Sequence, residues 1–192
     1  MSVAPKSIPL WLTSQLLLEF QPDLPDAIDH CDVVPTLGAG MSDLIHKSSA
    51  SQGEIGRAAA LAMAHLCGMG GEPSVTFRGF RVYPDAYAPF RADLDVVYDH
   101  VVGGLSSAGE PLGVSLQLAG EEPPVFWPYI HIQNLELHGN VVTVHTENTP
   151  EELENACVWY GLGHNTVCTI RDAMGRKLPA MGPIAVKEHL LP

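Results

Sequence analysis

Glycine and proline punctuate this sequence so often that long regular elements have little room. Eighteen glycines and sixteen prolines occur in 192 residues, and such residues tend to end helices and bend strands. A loop-rich, mixed architecture is therefore expected, and a helical bundle is not. The punctuation is uneven along the chain. An α/β piece is expected over residues 1–70. Beyond Gly70-Gly71-Glu72-Pro73 the sequence breaks into short β-like runs, so residues 71–192 read as a β-rich piece.

In the first piece, residues 8–13 are apolar and strand-like, and residues 16–20 look helical. Residues 21–26 carry Pro22 and Pro25 and interrupt any long helix; residues 27–31 resume a helical turn. Residues 33–37 read as a buried strand end, which completes a strand, crossover, strand unit of parallel type. The best helix follows. Ser51-Gln52-Gly53-Glu54 has the spacing of a capping box, with Ser51 as cap. Ile55, Ala59, Ala62 and Leu66 share one face, and Gly68 offers a left-handed stop.

In the second piece, residues 75–80, 94–102 and 113–118 are β-like. The clearest element is a hairpin of residues 134–138 and 141–145 around Gly139-Asn140. Its alternation puts Leu135, Leu137, Val142 and Val144 on an inner face, and Asn134, Glu136, His138, Thr143 and His145 on the outer one. Thr149-Pro150-Glu151-Glu152 starts a short helix with a threonine cap, and its glutamates suit the helix dipole. Trp159 and Tyr160 are expected in the core.

Ten Lys and Arg against 22 Asp and Glu give a formal charge of −12. Such a field repels phosphate backbones and anionic lipid heads, so neither nucleic acid nor a membrane surface is an expected partner. No uninterrupted apolar stretch approaches the length of a bilayer-spanning helix. The apolar run of residues 8–18 is broken by Thr13, Ser14 and Gln15 and is followed by no small-x-small site, so no signal peptide is expected. Cys31, Cys67, Cys157 and Cys168 show no C-x-x-C spacing, which argues against structural zinc and leaves disulfides open. His131, His138 and His145 recur every seven residues. In the hairpin register His138 and His145 lie about 13 Å apart at roughly 3.3 Å per residue, too far for one zinc, so solvated strand histidines are expected. Nothing requires a cofactor.

Chemistry is expected in the loop Gly38-Ala39-Gly40-Met41-Ser42-Asp43-Leu44-Ile45-His46. It follows a predicted strand, where open α/β sheets place their sites. The Asp-x-x-His spacing can bring the Asp43 carboxylate to one imidazole nitrogen of His46, leaving the other free to take a hydroxyl proton. A serine for that proton is harder to find. Ser42 shares the loop with its would-be base, whereas nucleophile and base normally come from different strand ends. Ser106 and Ser107 sit in a Gly-rich turn, and no Gly-x-Ser-x-Gly elbow occurs.

Residues 43–46, with the run Gly53-Glu54-Ile55-Gly56-Arg57-Ala58-Ala59-Ala60-Leu61-Ala62, resemble the last conserved block of sialate O-acetylesterases and related carbohydrate acetylesterases. That block reads D-x-x-H-P, then a Gly-Arg-x-Leu-Ala helix. Downstream, Val158-Trp159-Tyr160-Gly161-Leu162-Gly163-His164-Asn165, Cys168 and Leu178-Pro179-Ala180-Met181-Gly182-Pro183 resemble the family's closing pattern. The departures are Lys47 and Thr166, where the family has proline, and Leu162, where it often has tryptophan. The family belongs to the SGNH hydrolase superfamily. The resemblance implies the last strands and helices of a flavodoxin-like parallel sheet over residues 1–70, then a β-rich, sandwich-like domain over residues 71–192.

The function implied is hydrolysis of acetyl esters on sugar hydroxyls, with an O-acetylated sialic acid or glycan as substrate. His46 is then general acid and base, and Asp43 its orienting carboxylate. The family's Gly-x-Ser block and its oxyanion-hole Gly and Asn blocks have no counterpart before Asp43. The nucleophile is therefore expected on another segment or a partner chain, and the isolated chain is expected to be inactive. Family members are often lysosomal, secreted or periplasmic. Two alternatives stand beside this reading: a non-catalytic β-rich module that binds glycans or a partner, and a complete small esterase using Ser42.

Overall fold

The computed structural model describes residues 24–192 apart from residues 44, 89, 126, 164 and 165. The expected strand at residues 8–13 and helix at residues 16–20 lie outside the described residues. The first described element is a single helical turn, α1 (Leu24–Ala27). It forms earlier than the expected turn at residues 27–31, because Pro25 suits a first helical turn, where its missing N–H costs nothing.

Residues 33–37 are half-buried except for exposed Thr36 and form no strand, which corrects the expected buried strand end. Pro35 removes a ladder donor from the middle of the segment. The stretch is held by other means: Asp32 accepts the Ser74 amide at 3.0 Å, and Leu37 packs on the hydrophobic core. No parallel strand–crossover–strand unit is present among the described residues.

Helix α2 (Ser49–Leu66) begins one turn before its expected cap. Ser48 is the N-cap, and its hydroxyl oxygen accepts the Ser51 amide at 3.2 Å. Ser51 is turned inward and buried, and a Cβ at Gly40 would stand 3.2 Å from its hydroxyl. The face towards the protein runs through Ser51, Ile55, Ala58, Ala62 and Leu66, and Ala59 is exposed. The stop is as expected: Gly68 takes φ +65°. The amides of Gly68 and Met69 return to the carbonyls of His65 and Ala64, both at 2.9 Å, a Schellman pattern.

Strands follow in quick succession: β1 (Thr76–Pro84), β2 (Ala92–Asp99), β3 (Leu105–Ser106), β4 (Val114–Gln117), β5 (Ile132–His138) and β6 (Val141–Thr146). After the helix α3 (Pro150–Glu154) come β7 (Cys157–Tyr160), β8 (Arg171–Asp172) and β9 (Met181–Ala185), then a 3₁₀ turn (Val186–Glu188). The ladders join three sheets, ordered β1-β2-β6-β5, β4-β7-β9 and β3-β8, and all pairings between these strands are antiparallel. The strands all fall in residues 76–185, so the later part is β-rich as expected, with its strands in antiparallel sheets; the parallel α/β part expected over residues 1–70 is not seen among the described residues. Among the described residues no helix is long and apolar enough to cross a membrane.

The hairpin forms in the expected register, with Leu135 opposite Val144 and Leu137 opposite Val142, and Gly139 turns the corner at φ +60°. One hydrophobic cluster draws on the two larger sheets at once. Leu94, Val96, Tyr98, Val142 and Val144 meet Leu116, Val158, Tyr160 and Met181, and Leu153 of α3 closes one side. Burying each such side chain stabilises by roughly 1.5–3 kcal/mol. The α3 capping box is complete: Thr149 accepts the Glu152 amide, and the Glu152 carboxylate accepts the Thr149 amide at 2.8 Å. Trp159 and Tyr160 are buried, as expected for core residues. The four cysteines are free thiols.

A buried ion pair ties the sheets to the chain arriving from α2. The Arg176 guanidinium donates Nε and Nη2 to Asp172 Oδ2 at 2.9 and 2.7 Å. Its remaining reach goes to the carbonyls of Pro73 and His100. Asp172 also accepts the amides of Val102, Met174 and Arg176. Replacing Asp172 by Asn would leave a buried guanidinium uncompensated. Asp172→Asn is expected to lower unfolding free energy by about 3–5 kcal/mol, measurable by urea denaturation, and a loss below 1 kcal/mol would mean that water reaches the pair.

Candidate active site

The loop from Gly38 to Ser48 is closed on itself before it touches anything else. Met41 and Lys47 pair as an antiparallel bridge, and the Ser48 amide donates to the Gly40 carbonyl at 2.9 Å. Inside that closure Asp43 builds a turn by accepting two amides on one oxygen, from Ile45 at 2.9 Å and His46 at 2.8 Å. Short acidic side chains favour such local bonds over helix or sheet. The turn brings the His46 ring back onto its maker. Nδ1 lies 2.8 Å from Asp43 Oδ2 and 3.0 Å from Oδ1.

The two residues selected from the sequence are therefore brought together. A carboxylate on Nδ1 fixes the proton there and leaves Nε2 as the acceptor, the tautomer a general base requires. Both side chains are open to solvent, His46 at 68% and Asp43 at 54%, so an arriving group can reach Nε2. The amide of Ile45 holds the Asp43 carboxyl below the usual carboxylate range, helped by the His46 ring and the His46 amide.

Ser42 does not face the imidazole edge. Its hydroxyl donates to the His46 carbonyl at 3.2 Å, and its amide donates to the same oxygen at 2.9 Å. That hydroxyl braces the loop. Ser106 and Ser107 are likewise occupied, donating to the carbonyls of Arg171 and Glu110.

Of the residues that fix the loop in space, Gly38, Gly161 and Cys168 lie within the sequence motifs above, without this role being read there, and Lys177 lies outside them. Gly38, at φ +66°, lies so close to the chain at Cys168 that an added Cβ would stand 1.8 Å from the Cys168 carbonyl oxygen. Gly161, at φ +85°, would meet Leu37 Cδ1 at 2.4 Å. Lys177 Nζ donates to the Gly38 carbonyl at 3.3 Å and lies 3.6 Å from Glu54 Oε2. Gly161 belongs to the downstream block that resembles the acetylesterases. The structure gives that block a task, which is to seat the chain entering the Asp43–His46 loop.

The three spaced histidines each find a carboxylate. His131 lies 2.8 Å from Glu121, His138 3.1 Å from Glu136 and His145 3.0 Å from Asp93. Only His138 is solvated as expected: His131, just before β5, and His145 are half-buried, the latter because Asp93 on the neighbouring strand draws it onto the sheet face. Among the described residues no group of three or more His, Cys, Asp or Glu side chains is arranged to hold a metal ion.

The sequence matches no protein-family profile, and no curated protein matches it. Among solved structures the chain is similar to a carbohydrate acetylesterase from Xanthomonas citri, with a TM-score of 0.52 at 14% sequence identity. The match covers 75% of this chain and 30% of that one, so this chain spans less than a third of the neighbour's length. What is shared is the fold: the architecture described above is similar to that of a stretch of this neighbour.

The Asp43 turn gives a pH dependence with a definite sign. Its carboxyl pKa is lower folded than the unfolded 3.8, so its contribution is present above 3.8 and is lost as pH falls through the folded value. An NMR titration of the Asp43 carboxyl carbon is expected to give a midpoint below 3.8. A midpoint at or above that value would show that the amides of Ile45 and His46 do not bind the carboxylate in solution.

Proposed function

We propose that this chain is the C-terminal portion of a carbohydrate O-acetylesterase of the sialate O-acetylesterase type. Residues 1–70 contribute the end of an SGNH-like catalytic domain, and residues 71–192 form a β-rich domain beside it. The observation that carries this reading is the Asp43–His46 pair, with Nδ1 on the carboxylate and Nε2 facing solvent. The fold likeness to a carbohydrate acetylesterase supports it, and an acetylated sugar is the substrate it suggests.

In this reading a serine hydroxyl from another segment or chain approaches His46 Nε2. The imidazole takes its proton as the serine oxygen attacks the acetyl carbonyl. Asp43 stabilises the imidazolium. The proton then passes to the departing sugar hydroxyl, and water, activated by the same nitrogen, releases acetate from the acyl-serine. Ser42, bonded to a backbone carbonyl, takes no part.

The purified chain is expected to release no acetate from an O-acetylated sugar and to take up no fluorophosphonate. In an assembly that supplies the serine, His46→Ala is expected to lower kcat/KM by about 10²–10⁴-fold. Acetate release by the chain alone, abolished in His46→Ala, would show that the nucleophile lies within these residues. Stoichiometric labelling of Ser42 would name it.

One observation favours a second reading, a module that holds glycan without hydrolysing it. Tyr87, Phe90 and Trp127 are exposed at 98%, 69% and 75% on loops of the β-rich part, and exposed rings are surfaces on which sugars stack. That reading predicts sugar binding that His46→Ala leaves unchanged.

A further inference from the structure

Between α2 and the turn after β8 lies a cavity of about 190 Å³, lined by Glu54, Arg57, Arg171 and Arg176 among others. It holds a concentration of positive charge on a chain of formal charge −12. Two carboxylates that could offset it, Glu54 in the lining and Asp172 beside Arg176, are already engaged. Asp172 gives both oxygens to Arg176 and the backbone. Glu54 is one helical turn before Arg57 and so placed to pair with it, yet its carboxylate faces Lys177 at 3.6 Å.

Arg57 and Arg171 are what remains. Among the described residues neither is in an ion pair, whereas Arg78, Arg91 and Arg176 each are. Two arginines line this one cavity; like charges so placed repel, and an anion between them turns that repulsion into two attractions. A guanidinium presents its donors as a planar fork that fits carboxylate and phosphate oxygens. The volume also selects. It falls below the roughly 300–1,000 Å³ of sites that enclose drug-sized ligands, so it suits one charged group with its waters and not a sugar chain or a nucleotide.

We propose that this cavity is a binding site for a single small oxyanion, a carboxylate or a phosphate, held by Arg57 from α2 and Arg171 from β8. The site joins the helix to the sheets through a ligand, on the side of α2 where Lys177 already joins them through Glu54. It does not depend on the esterase reading, because neither arginine belongs to the Asp43–His46 loop.

The test is a titration of the full chain with inorganic phosphate, and separately with sodium acetate, at ionic strength held constant with chloride. The readout is the set of arginine Nε–H resonances by NMR. Saturable shifts of the Arg57 and Arg171 signals are expected in the millimolar range, with affinity at least tenfold weaker in Arg57→Gln and in Arg171→Gln. Arg81→Gln, an exposed change on β1, is expected to leave affinity unchanged. Saturation by acetate alone identifies a carboxylate site, and saturation by phosphate alone a phosphate site; both support the proposal. Shifts that fail to saturate with either anion, or an affinity unaltered in Arg57→Gln, would overturn it. Arg57 is exposed on the helix, so that variant decides the matter even if Arg171→Gln fails to fold.

Discussion

Arg176 and Asp172 face each other with side chains 4% and 0% exposed, and two charges so far from water are costly unless every donor and acceptor is used. Here the requirement organises the chain. The guanidinium needs carbonyls, and it takes them from Pro73, where the chain leaves the helix region, and from His100, just past β2. The carboxylate needs amides, and it takes them from Val102 and from the turn that carries both residues. Three stretches distant in sequence are thus fixed to one point. Val75 and β1 enter the core from there, and the largest sheet is built outward from β1 and β2.

The Asp43–His46 loop inherits its place from that arrangement indirectly. Lys177 adjoins Arg176 and reaches the Gly38 carbonyl, while the Cys168 and Gly161 backbones close on Gly38 and Leu37. The loop is held by residues more than a hundred positions downstream. The Asp43–His46 pair of the first seventy residues is therefore placed by the β-rich part, through the close contacts of Gly38 with Cys168 and of Leu37 with Gly161.

What was legible in the sequence is what neighbours in sequence decide. The hairpin around Gly139, the Thr149 capping box, the Gly68 stop and the Asp43–His46 contact each depend on residues a few positions apart. The cap of α2 was misread by one turn because Ser48 and Ser51 are both serines, and packing against Gly40 chose between them. Residues 33–37 have strand-like composition and no strand beside them, and composition does not supply a partner. β7 and β9 are not among the expected strands, since each depends on pairing across more than twenty residues. The docking of Gly38 against Cys168 is also a long-range contact, visible only once the β-rich part is folded.

The Asp43 turn has one further consequence. Every hydrogen bond that orients the His46 ring comes from within four residues of it. Nothing has to bind for the imidazole to adopt this orientation, so little conformational entropy is lost there when another surface arrives. The chain presents an exposed imidazole whose tautomer and direction are set by its own turn, and whatever approaches meets a surface group already in place.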